Sequence, residues 1–369
     1  MAEHAKLRER LGIEAVRQLA EVLREVYPKF DLPGFEQDAL DQLPKLELKA
    51  RVSHLIDTLA KHLPDGFCET ARLLEAAADV WPKMNEQAWS SYAVWPLIDY
   101  VSVYGLAYPQ RAFVLLEKLT PLFTAEFAIR PFLQHHFDLT HQQMLRWTEH
   151  ENDHVRRLAS EGIRPRLPWA QQLPYLRNDP SPIWPILEKL KTDPSLYVRR
   201  SVANNLNDIS KDHPESALSV CADWQQLSNA HIDWIIHRGL RTLVKTGHPD
   251  VYPLLGFSPL PKLSEAKLSL SVDKISLGET LDFSLELETT ERQKLVLDYR
   301  VGFVRKDGKY SWKVFKWRTI ETDKNAMVTI NNRHAFRPLS TRQYYPGTHL
   351  IECVLNGQVV ARNEFELSC

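Results

Sequence analysis

Residues 1–260 carry apolar side chains at the spacing of amphipathic helices. Leu, Val and Ile recur every three or four residues in two clear stretches, between positions 7 and 23 and between positions 46 and 59. Proline and glycine interrupt these stretches, as at Pro33, Gly34, Pro64 and Pro82. The pattern predicts short antiparallel helices joined by tight loops.

From residue 262 onwards the apolar period changes from helical spacing to two. Apolar and polar residues alternate in short runs that begin near Leu268, Leu281, Leu295, Tyr310, Val328, Leu350 and Val359. Glycine-containing turns separate the runs, as at Gly278, Gly308, Gly347 and Gly357. We therefore expect an all-β immunoglobulin-like sandwich over residues 262–369, after a helical domain over residues 1–260.

Two similar segments within the helical part indicate an internal repeat. HVRRLASE begins at His154, and YVRRSVAN begins forty-three residues later at Tyr197; Asp153 and Asp193 precede them, and a weaker copy lies near Arg238. A period of about forty residues is typical of HEAT and armadillo arrays. The sequence therefore predicts a mainly α chain that starts with a HEAT-like helical solenoid. Its concave wall would carry arginines with carboxylates set among them.

Charge and cysteine content limit the function classes. The formal net charge is −1, so a nucleic-acid surface must be local rather than global. The four cysteines show no CxxC spacing, which favours free thiols in a reducing compartment. The N-terminus lacks a signal-peptide core, and no long apolar run is present. We expect a cytoplasmic protein without membrane contact, which works as a monomer.

A metal site or cofactor is not expected from the sequence. Histidines cluster between positions 135 and 154, but their spacing matches no HExxH site and no cysteine joins them.

The densest candidate chemistry lies between Arg156 and Trp169. Arg157, Glu161 and Arg164 are four and three residues apart, so a helix would bring them to one face. On spacing alone a surface ion-pair ladder is the better expectation. The functional alternative has the two arginines holding phosphates while Glu161 faces a cationic centre. Trp169 would be either a core residue between repeats or a platform for a sugar or base.

Three other segments leave two readings each. The run of Asn and Asp around Asp208 breaks local helix preference, which fits a functional site or merely a polar helix end. Glu126 fits a catalytic carboxylate less well than a residue that favours a helix N-terminus. The basic and aromatic stretch with Lys306, Lys309 and Lys313 could face water on a sandwich or reach a phosphate backbone.

Three long motifs resemble the AlkC branch of the AlkC/AlkD DNA glycosylases. They are EFAIRPF at 126–132, VRRLASEGIRPRLPW at 155–169 and SVANNLNDISKDHP at 201–214. Some AlkC relatives also carry an immunoglobulin-like domain. The resemblance implies removal of cationic N-methylated bases, notably 3-methyladenine and 3-methylcytosine, from double-stranded DNA, without extrusion of the base into a deep pocket.

The resemblance also implies roles for individual residues. The catalytic carboxylates would be Glu126, Glu161 and Asp208, with Trp169 lining the site and Arg157 and Arg164 binding the substrate. The basic residues expected to contact DNA are Arg156, Arg166, Arg199, Arg200, Lys211, Lys306, Lys309 and Lys313.

The chemistry of an alkylated base fits carboxylates alone. A cationic base is already a good leaving group, and the transition state concentrates positive charge on the deoxyribose. Fixed carboxylates would stabilise that charge without metal, cofactor or a Schiff-base lysine. Two alternatives stay open from the sequence: a non-catalytic HEAT scaffold for a protein partner, and a DNA-binding regulator without catalysis.

Overall fold

The computed structural model describes residues 7–84, 91–339 and 342–369. Helices fill the first part of the chain and strands begin at Leu263, so the predicted fold class, a mainly helical chain followed by a β-sandwich, is confirmed. The helices are α1 Ile13–Val26, α2 Leu32–Gln42, α3 Leu48–His62, α4 Phe67–Met84, α5 Ser91–Tyr104, α6 Pro109–Leu119, α7 Arg130–His135, α8 Phe137–Trp147, α9 Asp153–Gly162, α10 Pro174–Asn178, α11 Trp184–Leu190, α12 Leu196–Ile209, α13 Pro214–Gln225, α14 Ala230–Gly239, α15 Arg241–Thr246 and α16 Val251–Leu254.

Proline marks where several helices begin. Pro109, Pro174 and Pro214 each occupy the first position of a helix, where the missing N–H leaves no hydrogen bond unmade. Pro82 is different: the sequence pattern suggested a break there, but the structure places it inside α4, two residues before the last residue of that helix. Near the end of a helix, the backbone hydrogen bond that proline removes does not break the helix.

The two segments of the predicted repeat lie on neighbouring helices. The first lies on α9 and the second on α12, and these helices pack against each other. Ser201 donates its hydroxyl to that of Ser160 at 2.9 Å, and the Asn205 amide donates to the Ser160 carbonyl at 2.9 Å. Buried small polar residues therefore join the two helices, and each element begins beside an aspartate, Asp153 or Asp193.

The strands form two sheets. They are β1 Leu263–Leu270, β2 Lys274–Ser276, β3 Thr280–Thr289, β4 Gln293–Val304, β5 Tyr310–Thr322, β6 Met327–Ala335, β7 Gly347–Leu355 and β8 Gln358–Ser368. The smaller sheet has the order β1-β3-β6 and the larger one β2-β8-β7-β4-β5. All pairings are antiparallel except that of β2 with β8.

The alternating residues of both sheets fill one core. Phe283 and Leu285 of β3 face Tyr299 and Val301 of β4 within a continuous cluster of buried apolar side chains. Tyr299 pairs in register with Cys353 on β7 and with Phe315 on β5. The period of two in the sequence thus reports burial in a sandwich.

The chain divides into two compact units, and the division does not coincide with the change from helix to strand. One unit comprises Met1–Asp212 and Asn229–Ile235, and the other comprises His213–Ser228 and Ile236–Cys369. The second unit therefore includes helical segments as well as the sandwich. The division into domains at 260–262 remains a prediction. Among the described residues, no helix combines the length and apolar character needed to cross a membrane.

Candidate active site

Glu126 lies in the connection between α6 and α7. Its carboxylate accepts hydrogen bonds from the Thr124 hydroxyl at 2.8 Å and from Nη2 of Arg157 at 2.9 Å. Helix α7 begins only at Arg130. Glu126 is therefore engaged with side chains of other segments, and its position indicates more than a helix N-terminal preference.

Glu161 and Asp208 are connected to Glu126 through the side chains of Arg157 and Arg164. Nη1 of Arg164 donates to Oε1 of Glu161 at 2.5 Å, and Nε of Arg164 donates to Oδ2 of Asp208 at 2.8 Å. Nη2 of Arg157 lies 3.7 Å from Oε1 of Glu161. The five side chains Glu126, Arg157, Glu161, Arg164 and Asp208 thus alternate in charge, and we call them the charge cluster. The structure brings together the three carboxylates that the resemblance implied.

The charge cluster is buried at Glu161, Arg164 and Asp208, whereas Glu126 and Arg157 are partly exposed. Only 4% of Glu161 and 2% of Asp208 is exposed, and Arg164 is buried as well. The ion pairs expected from the spacing of Arg157, Glu161 and Arg164 are present, but α9 ends at Gly162, so Arg164 lies just beyond the helix rather than on its face. The pairs form a largely buried network rather than a surface ladder. Helix α12 packs on α9 and brings Asp208 to Arg164, which spacing within α9 alone could not indicate.

The arginines of the cluster remain strongly basic. Burial lowers the pKa of Arg157, but the nearby carboxylates of Glu161 and Glu126 outweigh it, so its pKa lies above the ordinary value. Burial likewise lowers the pKa of Arg164, and Glu161 and Asp208 reverse the shift. Lys211 adds a further cation, since its Nζ donates to Oδ1 of Asp208 at 3.1 Å. Fixed charges in a poorly solvated place act more strongly than charges in water.

Trp169 is exposed on the loop between α9 and α10. Trp169 is 52% exposed, so it is not a core residue between repeats. Its φ is +64°, in the left-handed region that bulky side chains rarely adopt. Strained residues of this kind persist where neighbouring contacts hold them, often at functional sites. An open cleft beside the indole is lined by Leu7, Glu47, Leu48 and Lys49.

Several basic residues predicted to contact DNA have partners within the protein. Arg156 binds the Asp193 carboxylate at 2.7 Å, and Arg166 binds Asp212 at 2.7 Å. Arg199 donates to the backbone carbonyl of Asp193 at 2.6 Å. Arg200 is exposed. The first three side chains tie helices and loops together, and a contact of any of the four with DNA remains a prediction.

The predicted basic residues of the second unit lie on its surface. Lys306 and Lys309 belong to the turn that joins β4 to β5, and Lys313 lies on β5 with its Nζ 5.2 Å from the centre of the Phe315 ring. All three are exposed, and β5 is an edge strand of the larger sheet. The basic and aromatic stretch therefore does form a hairpin, as expected. Contact of its lysines with phosphates remains a prediction.

Sequence reasoning missed Arg130, although it lies in the first quoted motif. Its buried guanidinium donates to the carbonyls of Gln171 at 2.6 Å, Gly162 at 2.8 Å and Arg164 at 2.9 Å. Burial lowers the pKa of Arg130 to about 10, so it stays charged at neutral pH. Arg130 could not be recognised from the sequence, because its partners are backbone carbonyls, which any residue type can supply.

Asp99 on α5 was missed as well. Burial raises its pKa to about 7, against the opposing effects of the Trp95 indole, which donates to Oδ2 at 2.8 Å, and of Lys49. Its Oδ1 is buried without a hydrogen-bond partner among residues 7–84, 91–339 and 342–369. A signal existed, because Asp99 is the one charged residue in the apolar segment SYAVWPLIDYVSVY.

A possible metal-ligand set lies outside the charge cluster. Ligand atoms of Glu215, His248 and Asp250 in the second unit lie within 4.8 Å of one another. Two of the three side chains are exposed, and exposed acidic groups often meet without binding a metal. His136, His141, His150 and His154 take part in other contacts; for example, His141 contacts the Pro182 carbonyl at 2.7 Å.

Comparison with known proteins places this arrangement in context. A family model described as DNA alkylation repair enzyme matches residues 123–220, which include the whole charge cluster, and one described as the C-terminal Ig-like domain of the uncharacterised protein YhaZ matches residues 264–369. The uncharacterized protein YhaZ of Bacillus subtilis is 38% identical over 98% of this chain and 99% of its own length. The solved structure of the Pseudomonas fluorescens alkylpurine DNA glycosylase AlkC, bound to DNA containing an abasic site analog, is 38% identical, with a TM-score of 0.88 over 98% of this chain and 99% of that chain.

Proposed function

We propose that this chain, which belongs to the AlkC branch of the DNA alkylation repair enzymes, hydrolyses the N-glycosidic bond of cationic N-methylated bases in duplex DNA. The bases that we expect are 3-methyladenine and 3-methylcytosine. The observation that carries the proposal is the charge cluster, in which carboxylates from three separate segments meet through two arginines.

The reaction needs little general-acid help, because the base leaves with its positive charge neutralised. The C1′–N bond breaks, its electron pair goes to the base, and the deoxyribose becomes cationic at C1′. A water oxygen then bonds to C1′, and its proton passes to a carboxylate or to solvent. Glu126, Glu161 and Asp208 would stabilise the sugar cation, and one of them would orient the water.

The arginines support the carboxylates before they contact DNA. Arg157 donates to Glu126, and Arg164 donates to Glu161 and Asp208, so charge-assisted hydrogen bonds fix the positions of the three carboxylates. Each guanidinium has five N–H donors, more than its carboxylate contacts use, so a role in holding phosphates is compatible with the ion pairs.

Release of free methylated base tests the proposal directly. Duplex DNA that contains 3-methylcytosine or 3-methyladenine is incubated with the protein, and the free base is measured by chromatography. We expect free base and an intact strand with an abasic site, and no covalent adduct after borohydride reduction, since no Schiff base is required. Binding without release would favour a non-catalytic DNA-binding protein, and neither binding nor release would favour a scaffold for a protein partner.

We also propose that the hairpin of β4 and β5 contacts phosphates through Lys306 and Lys309 in its turn and Lys313 on β5. Replacing Lys306, Lys309 and Lys313 together with Gln is expected to weaken binding to damaged and undamaged duplexes alike. The slope of log affinity against log salt should flatten by up to about 2.7, since each phosphate contact contributes about 0.9. Titrations at several salt concentrations measure the slope.

A matched triple variant on the same sandwich serves as the control. Lys267, Lys274 and Lys324 are exposed and lie on other strands and turns, so their replacement with Gln makes the same change of net charge. The proposal requires a larger effect from the three lysines of the β4–β5 hairpin. Equal slopes for the two triple variants would reduce it to a general effect of charge.

A further inference from the structure

The loop that carries Trp169 is held at both ends by one buried side chain. Arg130 donates to the carbonyl of Gly162, where α9 ends, and to that of Gln171, two residues after Trp169. The third carbonyl that it binds belongs to Arg164, a member of the charge cluster. Arg130 therefore fixes where the loop starts and finishes, but none of these bonds reaches Trp169 itself.

Lys49 makes the contact at Trp169. It lies at the start of α3, 120 residues away in the sequence, and its ammonium donates to the Trp169 backbone carbonyl. Trp169 has a φ of +64°, a backbone conformation that is energetically costly for an L-residue. A hydrogen bond to its carbonyl is a direct way to stabilise the strained conformation.

The same ammonium links Trp169 to the neighbour of a catalytic carboxylate. Nζ of Lys49 lies 5.6 Å from the centre of the Phe127 ring, a distance at which a cation is attracted to an aromatic face. Phe127 follows Glu126 in the chain, and its ring packs on Trp95 at 5.7 Å between centroids. Lys49 thus bridges the loop of Trp169 and the segment of Glu126.

We propose that Lys49 is a positioning residue, which holds the Trp169 backbone in its left-handed conformation and thereby sets the indole relative to Glu126. The inference rests on the proposed glycosylase function, since the indole is taken to contact the lesion. Lys49 acts through Trp169 and not on the reacting atoms. A direct contact of Lys49 with a DNA phosphate is a different role, and the experiment below separates the two.

The test is a double-mutant cycle on the single-turnover rate of base release. Lys49→Met keeps the aliphatic stem and removes the ammonium; it should lower the rate roughly tenfold, the value of one charge-assisted hydrogen bond. Lys49→Arg should recover most of the rate, because a guanidinium can also donate to a carbonyl. In a Trp169→Ala background, Lys49→Met should cost nothing further, since the backbone carbonyl remains but the indole whose position the bond sets is gone.

Lys45→Met is the matched control, because Lys45 is exposed and only four residues away in the 3-10 helix Leu43–Lys45. It should leave the rate unchanged. Equal losses from Lys49→Met in the wild-type and Trp169→Ala backgrounds would overturn the inference. So would weaker binding to undamaged DNA with a flatter salt dependence, which would assign Lys49 to a phosphate.

A second measurement does not depend on catalysis. Hydrogen exchange of peptides that cover residues 165–171 should be faster in Lys49→Met than in the wild type or in Lys45→Met, because the loop loses its tie. Unchanged exchange would overturn the inference even if the wild-type protein is an active glycosylase. Faster exchange in a protein that releases no base would support the positioning contact and reject the proposed function.

Discussion

Replacing Glu161 with Gln is expected to lower the single-turnover rate of base release about 10²- to 10³-fold, while affinity for duplex DNA stays within a few-fold. Glu161 lies between Arg157 and Arg164, so it is the central carboxylate of the charge cluster. Gln keeps the size and an acceptor oxygen for Arg164 but removes the charge that would stabilise the sugar cation. Rates are measured on a duplex with one 3-methylcytosine, and affinities on the matching undamaged duplex.

The substitution also removes a buried counter-charge, so a control must separate loss of stability from loss of chemistry. Glu75→Gln is suitable, because Glu75 on α4 pairs with Arg111 on α6 at 2.7 Å, in the same unit and outside the charge cluster. Thermal unfolding of both variants shows whether they fold. A Glu161→Gln variant that is folded and releases base at the wild-type rate would refute the catalytic role. Weakened DNA binding with unchanged chemistry would refute it equally.

Stability alone does not explain the charge cluster as well as a catalytic role does. Buried ion pairs often contribute no more stability than apolar residues of the same size, because desolvation offsets their attraction. A network that extends over three segments therefore needs a reason other than stability. Carboxylates held in fixed positions by arginines give one, since preorganised negative charge in a poorly solvated place is what a cationic transition state requires.

The fold was predictable from sequence wherever the apolar period was long. The helical period before residue 260 corresponds to helices, and the period of two after it corresponds to strands, as predicted. The strand β2 was not predicted, because Lys274–Ser276 contains a single apolar residue and shows no period. It exists through parallel pairing with β8, ninety-two residues away, as in Ile275 with Leu367. Such pairing leaves no local trace in the chain.

The sequence predicted which residues form the candidate site, but it did not predict what surrounds them. The spacing of Arg157, Glu161 and Arg164 does not show that α9 ends before Arg164 or that α12 covers this part of the chain, so the burial of Glu161 and Arg164 could not be inferred. The contacts of Arg130 and Lys49 end on backbone carbonyls, which have no residue-type signature. Motifs identified the charged side chains, and only the folded chain shows what holds them in place.

Asp99→Asn is expected to stabilise the protein at high pH and to weaken its pH dependence. The folded-state pKa of Asp99 is raised to about 7 from 3.8, chiefly by burial. A raised pKa means that the folded state holds the proton more tightly than the unfolded state, so stability is fully present below about pH 4 and is lost as pH rises through 7. The difference of about three pKa units corresponds to at most about 4 kcal/mol.

Denaturant unfolding of the wild type and of Asp99→Asn between pH 4 and pH 8 measures this effect. The variant has no ionisation at this position, so the two unfolding free energies should agree near pH 4 and diverge steadily up to about pH 7. Asp57→Asn is the control, since Asp57 is exposed on α3 and loses the same charge. Parallel pH profiles for the wild type and Asp99→Asn would mean that Asp99 is solvated in the folded protein. Since Trp95 donates to Asp99 and packs on the ring of Phe127, the neighbour of Glu126, a diverging profile would also show that water is excluded from this contact.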